Sequence, residues 1–111
     1  MKHSITVAPS SPPTEVSVST VTPVGFTLSW ENPPEVDHNG IIRHFIVNIT
    51  EENTGMEFQL VTVSNDAVVN FLHPFYNYSC TVAAVTVSVG PYSPPIPVTT
   101  LSSGMADTYD L

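Results

Sequence analysis

Two tripeptides carry the sharpest chemical signal in this sequence, Asn48-Ile49-Thr50 and Asn77-Tyr78-Ser79. Each sets a carboxamide nitrogen two residues before a hydroxyl with no proline between, which is the acceptor pattern for an N-linked oligosaccharide. Asn48 is expected to point away from the core, because Val47 and Ile49 alternate with it and face inward. Asn77 is expected in an exposed turn before Tyr78. Both are candidate N-glycosylation sites, and an occupied site closes its face to tight protein contact.

Other chemistry is represented by residue types without the required spacing. Serine and threonine are abundant, yet no Gly-x-Ser-x-Gly occurs, and His3, His38, His44 and His73 lie on separate segments. There is no His-Glu-x-x-His motif and no glycine-rich loop that would cradle a phosphate. The loops at Asp37 and Asp66 lack the carboxylate spacing of a calcium loop. The expectation is a chain with no catalytic residue, no cofactor and no metal ligand. Cys80 is the single cysteine, so no intrachain disulfide can form, and it reads as a buried free thiol serving as a small hydrophobe.

Charge narrows the partners. Against 10 Asp and Glu there are only 2 Lys and Arg, a formal net charge of −8. Binding a phosphate backbone needs several cations on one face, and Lys2 and Arg43 do not supply it. Nucleic acid and anionic lipid are thereby disfavoured. No run of 18 apolar residues appears, so no direct membrane binding by this fragment is expected. Met1-Lys2-His3 leads into polar, proline-rich sequence and not into the apolar stretch of a secretion signal.

These residues need a frame, and the periodicity supplies one. A chain of 111 residues fits one domain, and its 11 Pro and 5 Gly argue for frequent turns. Val16 and Val18 alternate with polar residues; Phe26, Leu28 and Trp30 then share one face of a second strand. Asn32-Pro33-Pro34 ends it, and Asp37-His38-Asn39-Gly40 is turn chemistry. From Ile41 to Glu52, Phe45, Val47 and Ile49 face one way. Met56 to Val63 and Ala67 to Leu72 are two further strands. After His73-Pro74, the residues Tyr78, Cys80, Val82 and Ala84 alternate inward, and Ile96 to Leu101 closes the set. Short strands at this spacing predict an all-β sandwich or barrel. Residues 1–9 read as an N-terminal extension or linker, 10–101 as the domain, and 102–111 as a C-terminal linker or tail.

The ordered features resemble those of fibronectin type III domains, which implies an all-β, seven-stranded antiparallel β-sandwich of immunoglobulin-like fold. They are Pro12-Pro13 at the start, Trp30 closing the second strand, Pro33-Pro34 after it, and Phe45-x-Val47 in the third. Leu72-His73-Pro74-Phe75-Tyr76-Asn77-Tyr78 then looks like the family's Leu-x-Pro-x-x-x-Tyr, followed by Cys80, Val82, Ala84, Gly90, Ser93 and Val98-Thr99-Thr100. The expected structural core is Phe26, Leu28, Trp30, Phe45, Val47, Leu72, Pro74, Tyr78, Cys80 and Val82. Tyr78 is expected to pack its ring inward and bond its hydroxyl back to nearby backbone. Tyr78-Ser79-Cys80 also resembles the Tyr-x-Cys of immunoglobulin domains, but the partner cysteine and a tryptophan one strand later are absent. Thr86 stands where the family often has Asn, and the loop after it is about one residue longer than usual. No Arg-Gly-Asp occurs.

The resemblance implies a non-enzymatic extracellular repeat of a single-pass cell-surface receptor or adhesion glycoprotein, similar to repeats of receptor-type tyrosine phosphatases and adhesion receptors. It would space neighbouring domains of the same chain and offer a possible protein-ligand surface in loops 33–40 and 87–92. An intracellular structural repeat of the giant muscle-protein kind is the alternative, as is an accessory domain of a secreted carbohydrate-active enzyme. Free Cys80 fits both locations, and the two Asn acceptors favour the outside.

Overall fold

The computed structural model describes residues 8–102. Lys2, His3 and most of the expected C-terminal linker lie outside them. Seven strands follow in order: β1 (Thr14–Ser19), β2 (Phe26–Glu31), β3 (His44–Glu51), β4 (Glu57–Thr62), β5 (Asp66–Val69), β6 (Asn77–Val85) and β7 (Ile96–Thr99). All pairings are antiparallel, in a three-stranded sheet ordered β1-β2-β5 and a four-stranded sheet ordered β4-β3-β6-β7. This is the seven-stranded antiparallel sandwich that the family resemblance implies, and it settles the sandwich over the barrel that the strand spacing left open.

Strand faces follow from period two. Phe26, Leu28 and Trp30 of β2 meet Phe45, Val47 and Ile49 of β3 and Tyr78, Cys80, Val82 and Ala84 of β6, all buried, with Ala67, Val69, Leu72 and Val98 completing the core. Trp30 and Phe45 touch edge to face across the two sheets at 5.4 Å, a favourable geometry for aromatic pairs. The Trp30 indole N–H is buried without a hydrogen-bond partner. Leaving such a donor unpaired costs about 1–3 kcal/mol, less than the roughly 3–5 kcal/mol that truncating a buried Trp costs. The burial of the ring therefore wins.

Several strand ends differ from the alternation. The run expected from Ile41 becomes strand only at His44, because Gly40 takes φ 146° and leaves Ile41 77% exposed, outside the ladder. β5 stops at Val69, not Leu72; the Leu72 N–H donates to the Val24 carbonyl ahead of β2, one residue out of the β2–β5 register. Pro74, expected in the core, is only half-buried and stands outside the core cluster. It occupies the bend between inward Leu72 and exposed Phe75, where its fixed φ shapes the turn without adding core contact.

Polar residues finish the frame. The Tyr78 hydroxyl accepts a hydrogen bond from the His73 N–H at 3.0 Å. Buried Thr100 donates its hydroxyl to the His73 carbonyl at 2.6 Å and accepts from the Tyr76 N–H at 3.1 Å. Buried Ser93 continues the ladder beside β6: its Oγ accepts from the Val82 N–H, and its own N–H donates to the Val82 carbonyl. At the β3–β4 turn the Glu51 carboxylate accepts from the Asn53 N–H, the Thr54 N–H and the Thr54 hydroxyl. The Thr54 hydroxyl bond, above all, holds Glu51 below the ordinary carboxylate range, and the nearby His73 acts in the same direction.

Candidate functional site

The two loops expected to make contacts meet at one end of the sandwich. In the first, the backbone from Pro34 makes a short 3₁₀ turn over Glu35–Asp37. His38 Nε2 lies 2.7 Å from the Pro33 carbonyl, which closes the loop on itself. The loop is also tied to the incoming chain, through the Ser10 N–H to the Asp37 carbonyl, the Ser11 hydroxyl to Asp37 Oδ2 and Asn39 Nδ2 to the Ala8 carbonyl. It is a shaped loop, held on both sides.

The second loop doubles back beside β6. Val85 bridges to Val89, and the Gly90 N–H donates to the Ala84 carbonyl. Gly90 packs so closely against Pro9 that an added Cβ would stand 3.0 Å from the proline ring. A shallow cavity of about 240 Å³ lies between the two loops, lined by Gly40, Ile41, Arg43, Thr86 and Val87. Ile41 and Val87 of this lining are exposed, as are Val36 and Val89 on the same two segments. Alternation could not have found this crest, because loop residues have no period. A larger groove of about 430 Å³ runs between Pro12–Val16 and Ser93–Ile96, along the open side where β1 faces β7.

The acceptor asparagines lie elsewhere, on strands. Asn48 is half-buried in the middle of β3, and Asn77 is exposed as the first residue of β6, paired with Thr99. The turn expected to hold Asn77 ends one residue earlier. Cys80 is fully buried, and burial pushes its thiol up to about 12. His38, His44 and His73 sit on three different segments. Among the described residues no group of three His, Cys, Asp or Glu could hold a metal ion. No helix among them is long and apolar enough to cross a membrane.

The sequence of residues 11–99 is matched by a family model, "Fibronectin type III domain". The chain belongs to the fibronectin type III family. Among curated proteins, this fibronectin type III domain is 31% identical over 102 residues to the human cell adhesion molecule DSCAM, and 30% identical to the chicken protein of that name. In each case the match takes in 85% of this chain and 5% of the relative, so the chain spans only a small part of those proteins. Of the solved structures, the third fibronectin III domain of human KIAA0343 protein superposes with TM-score 0.80 at 19% identity, covering 92% of this chain and 90% of that one. The FN5 domain of Drosophila Lar gives TM-score 0.70 at 26% identity, covering 86% and 99%. The family and the adhesion relatives point to a non-enzymatic module.

Proposed function

We propose that this fibronectin type III domain is an extracellular module of a larger cell-surface adhesion protein, spacing its neighbours and binding protein through loops 33–40 and 87–92. The observation that carries the reading is the 31% identity to an adhesion molecule across most of the chain. A spacer role is supported by the path of the backbone. The incoming chain is tied to the Asp37 loop at one pole, whereas Leu101 is bonded to Thr22 and Phe75 at the other. Between those poles the eight residues of β3 span about 25 Å. Binding at the first pole is supported by apolar side chains displayed on braced loops, since a pre-shaped surface loses little entropy on association.

An antibody against this domain should stain intact cells that express the parent protein. Staining only after permeabilisation would overturn the extracellular reading. In the same cells, Val36→Asp combined with Val87→Asp should reduce cell–cell aggregation at unchanged surface level. Unaltered aggregation would remove the two loops from the binding role and leave the spacer role standing.

A further inference from the structure

The β3–β6 register brings the two acceptor tripeptides onto one surface. Asn48 is opposite Thr81 of β6 and Gln59 of β4, and its hydroxyl partner Thr50 is opposite Ser79, the hydroxyl of the second tripeptide. Asn77, Ser79 and Thr81 are two residues apart along β6, alternating with buried Tyr78, Cys80 and Val82, so they share the outward face. Both asparagines, and both hydroxyls two residues on, therefore project from the outer side of the four-stranded sheet. Four residues along β6 and one strand across, the two are about 14 Å apart.

Two further observations bear on what this surface carries. The Asn48 Oδ1 accepts from Gln59 Nε2 at 3.0 Å and the Asn77 Oδ1 accepts from the Thr99 hydroxyl at 2.7 Å. Each bond holds the carboxamide by its oxygen and does not engage its nitrogen. Beside Asn48 lies the row Val61–Ile46–Ala83, in which Val61 is 64% exposed, Ile46 half-buried and Ala83 fully buried. Val61 and the exposed part of Ile46 give an apolar footing next to the Asn48 side chain.

We infer that Asn48 and Asn77 both carry N-linked oligosaccharides, and that the pair forms a sugar layer over the outer face of the four-stranded sheet, with the first sugars of the Asn48 chain resting on Ile46 and Val61. The donor is a lipid pyrophosphate-linked oligosaccharide. The bond from its anomeric carbon to the pyrophosphate oxygen breaks, a bond to Asn Nδ2 forms, the amide loses one proton, and the lipid pyrophosphate leaves with no change in oxidation state. Protein contact is then confined to the poles and the three-stranded sheet.

The inference rests on the extracellular reading, but its test is separate from it. The full 111-residue chain is secreted from a eukaryotic cell line behind a cleavable signal, so that the natural location of the parent does not enter. Peptide mapping after enzymatic deglycosylation in heavy-oxygen water should mark both Asn48 and Asn77. Asn48→Gln and Asn77→Gln should each remove one glycan, and Thr50→Ala should remove the Asn48 glycan while keeping the asparagine. Hydroxyl-radical footprinting of the glycosylated protein should then label Ile46 and Val61 severalfold less than after enzymatic deglycosylation, with exposed Phe75 unchanged. An unmodified Asn48 or Asn77 in the secreted folded protein, or equal labelling of Ile46 and Val61 in both forms, would overturn the proposal.

Discussion

At the level of single residues, two buried titratable groups behave in opposite ways. Glu51 ends the inward series Phe45, Val47, Ile49 on β3, and the β3–β4 turn wraps its carboxylate in three donors. Its folded pKa lies below the ordinary 4.5, so it binds its proton less readily folded than unfolded. The stability it contributes is therefore fully present above 4.5 and is lost as pH falls through the folded value. Glu51→Gln should lower the urea midpoint at neutral pH, and the gap to wild type should close in acid; a gap independent of pH would refute this account. Cys80 shows the reverse logic, since burial pushes its thiol to about 12 and the thiolate is the reactive form. A disulfide-based thiol reagent in mildly alkaline buffer should react with the native chain only as fast as it unfolds. Prompt reaction without denaturant would show the sulfur to be accessible.

Among the elements, legibility follows the physics that sets each feature. Phe26-Leu28-Trp30 and Phe45-Val47-Ile49 were readable because each has one wet and one dry face, and alternation records that directly. Register was not readable. Nothing in the sequence says that Asn48 lies opposite Thr81, so the shared face of the two acceptors emerges only when β3 meets β6. Ser93 and Thr100 were also out of reach as buried polar residues, because their partners Val82 and His73 are set by tertiary contact. Glu51 left a trace, a charge in phase with the core positions, that the alternation alone does not explain. Gly25 shows the same dependence on pairing. It precedes β2, whose first residue, Phe26, pairs with Val69, and a Cβ at Gly25 would fall 1.6 Å from the Val69 carbonyl oxygen. Since that neighbour is backbone, relief requires moving β5 itself. Gly25→Ala should cost about 3 kcal/mol, the upper end of overpacking. Gly55→Ala is the comparison: φ is +75° but nothing lies within 4 Å, so the cost is the left-handed backbone alone, about 1 kcal/mol. Equal denaturation midpoints for the two variants would contradict the packing argument.

For the whole molecule, charge and location argue together. Ten carboxylates and two basic side chains give −8, and among the described residues Arg43 is the single Lys or Arg. Glu35 and Asp37 crowd one pole, Glu51, Glu52 and Glu57 the other, so the folded state concentrates like charge that the unfolded chain spreads out. Self-repulsion of this kind destabilises the compact form and is screened over a Debye length of about 10 Å at 0.1 M salt. Sodium chloride should therefore raise the melting temperature, most steeply at low ionic strength and levelling off once the screening length falls below the spacing between carboxylates. A protein held together by surface ion pairs would show the opposite slope. The same field has a sign for recognition: a partner at the Val36 and Val87 crest meets Glu35 and Asp37 beside it, and a basic rim on that partner would speed encounter. Salt should then stabilise the isolated domain while slowing its association with such a partner. Scanning calorimetry and association kinetics across one salt series separate the two effects, and a melting temperature that fell with salt would mean that attraction, not repulsion, dominates this surface.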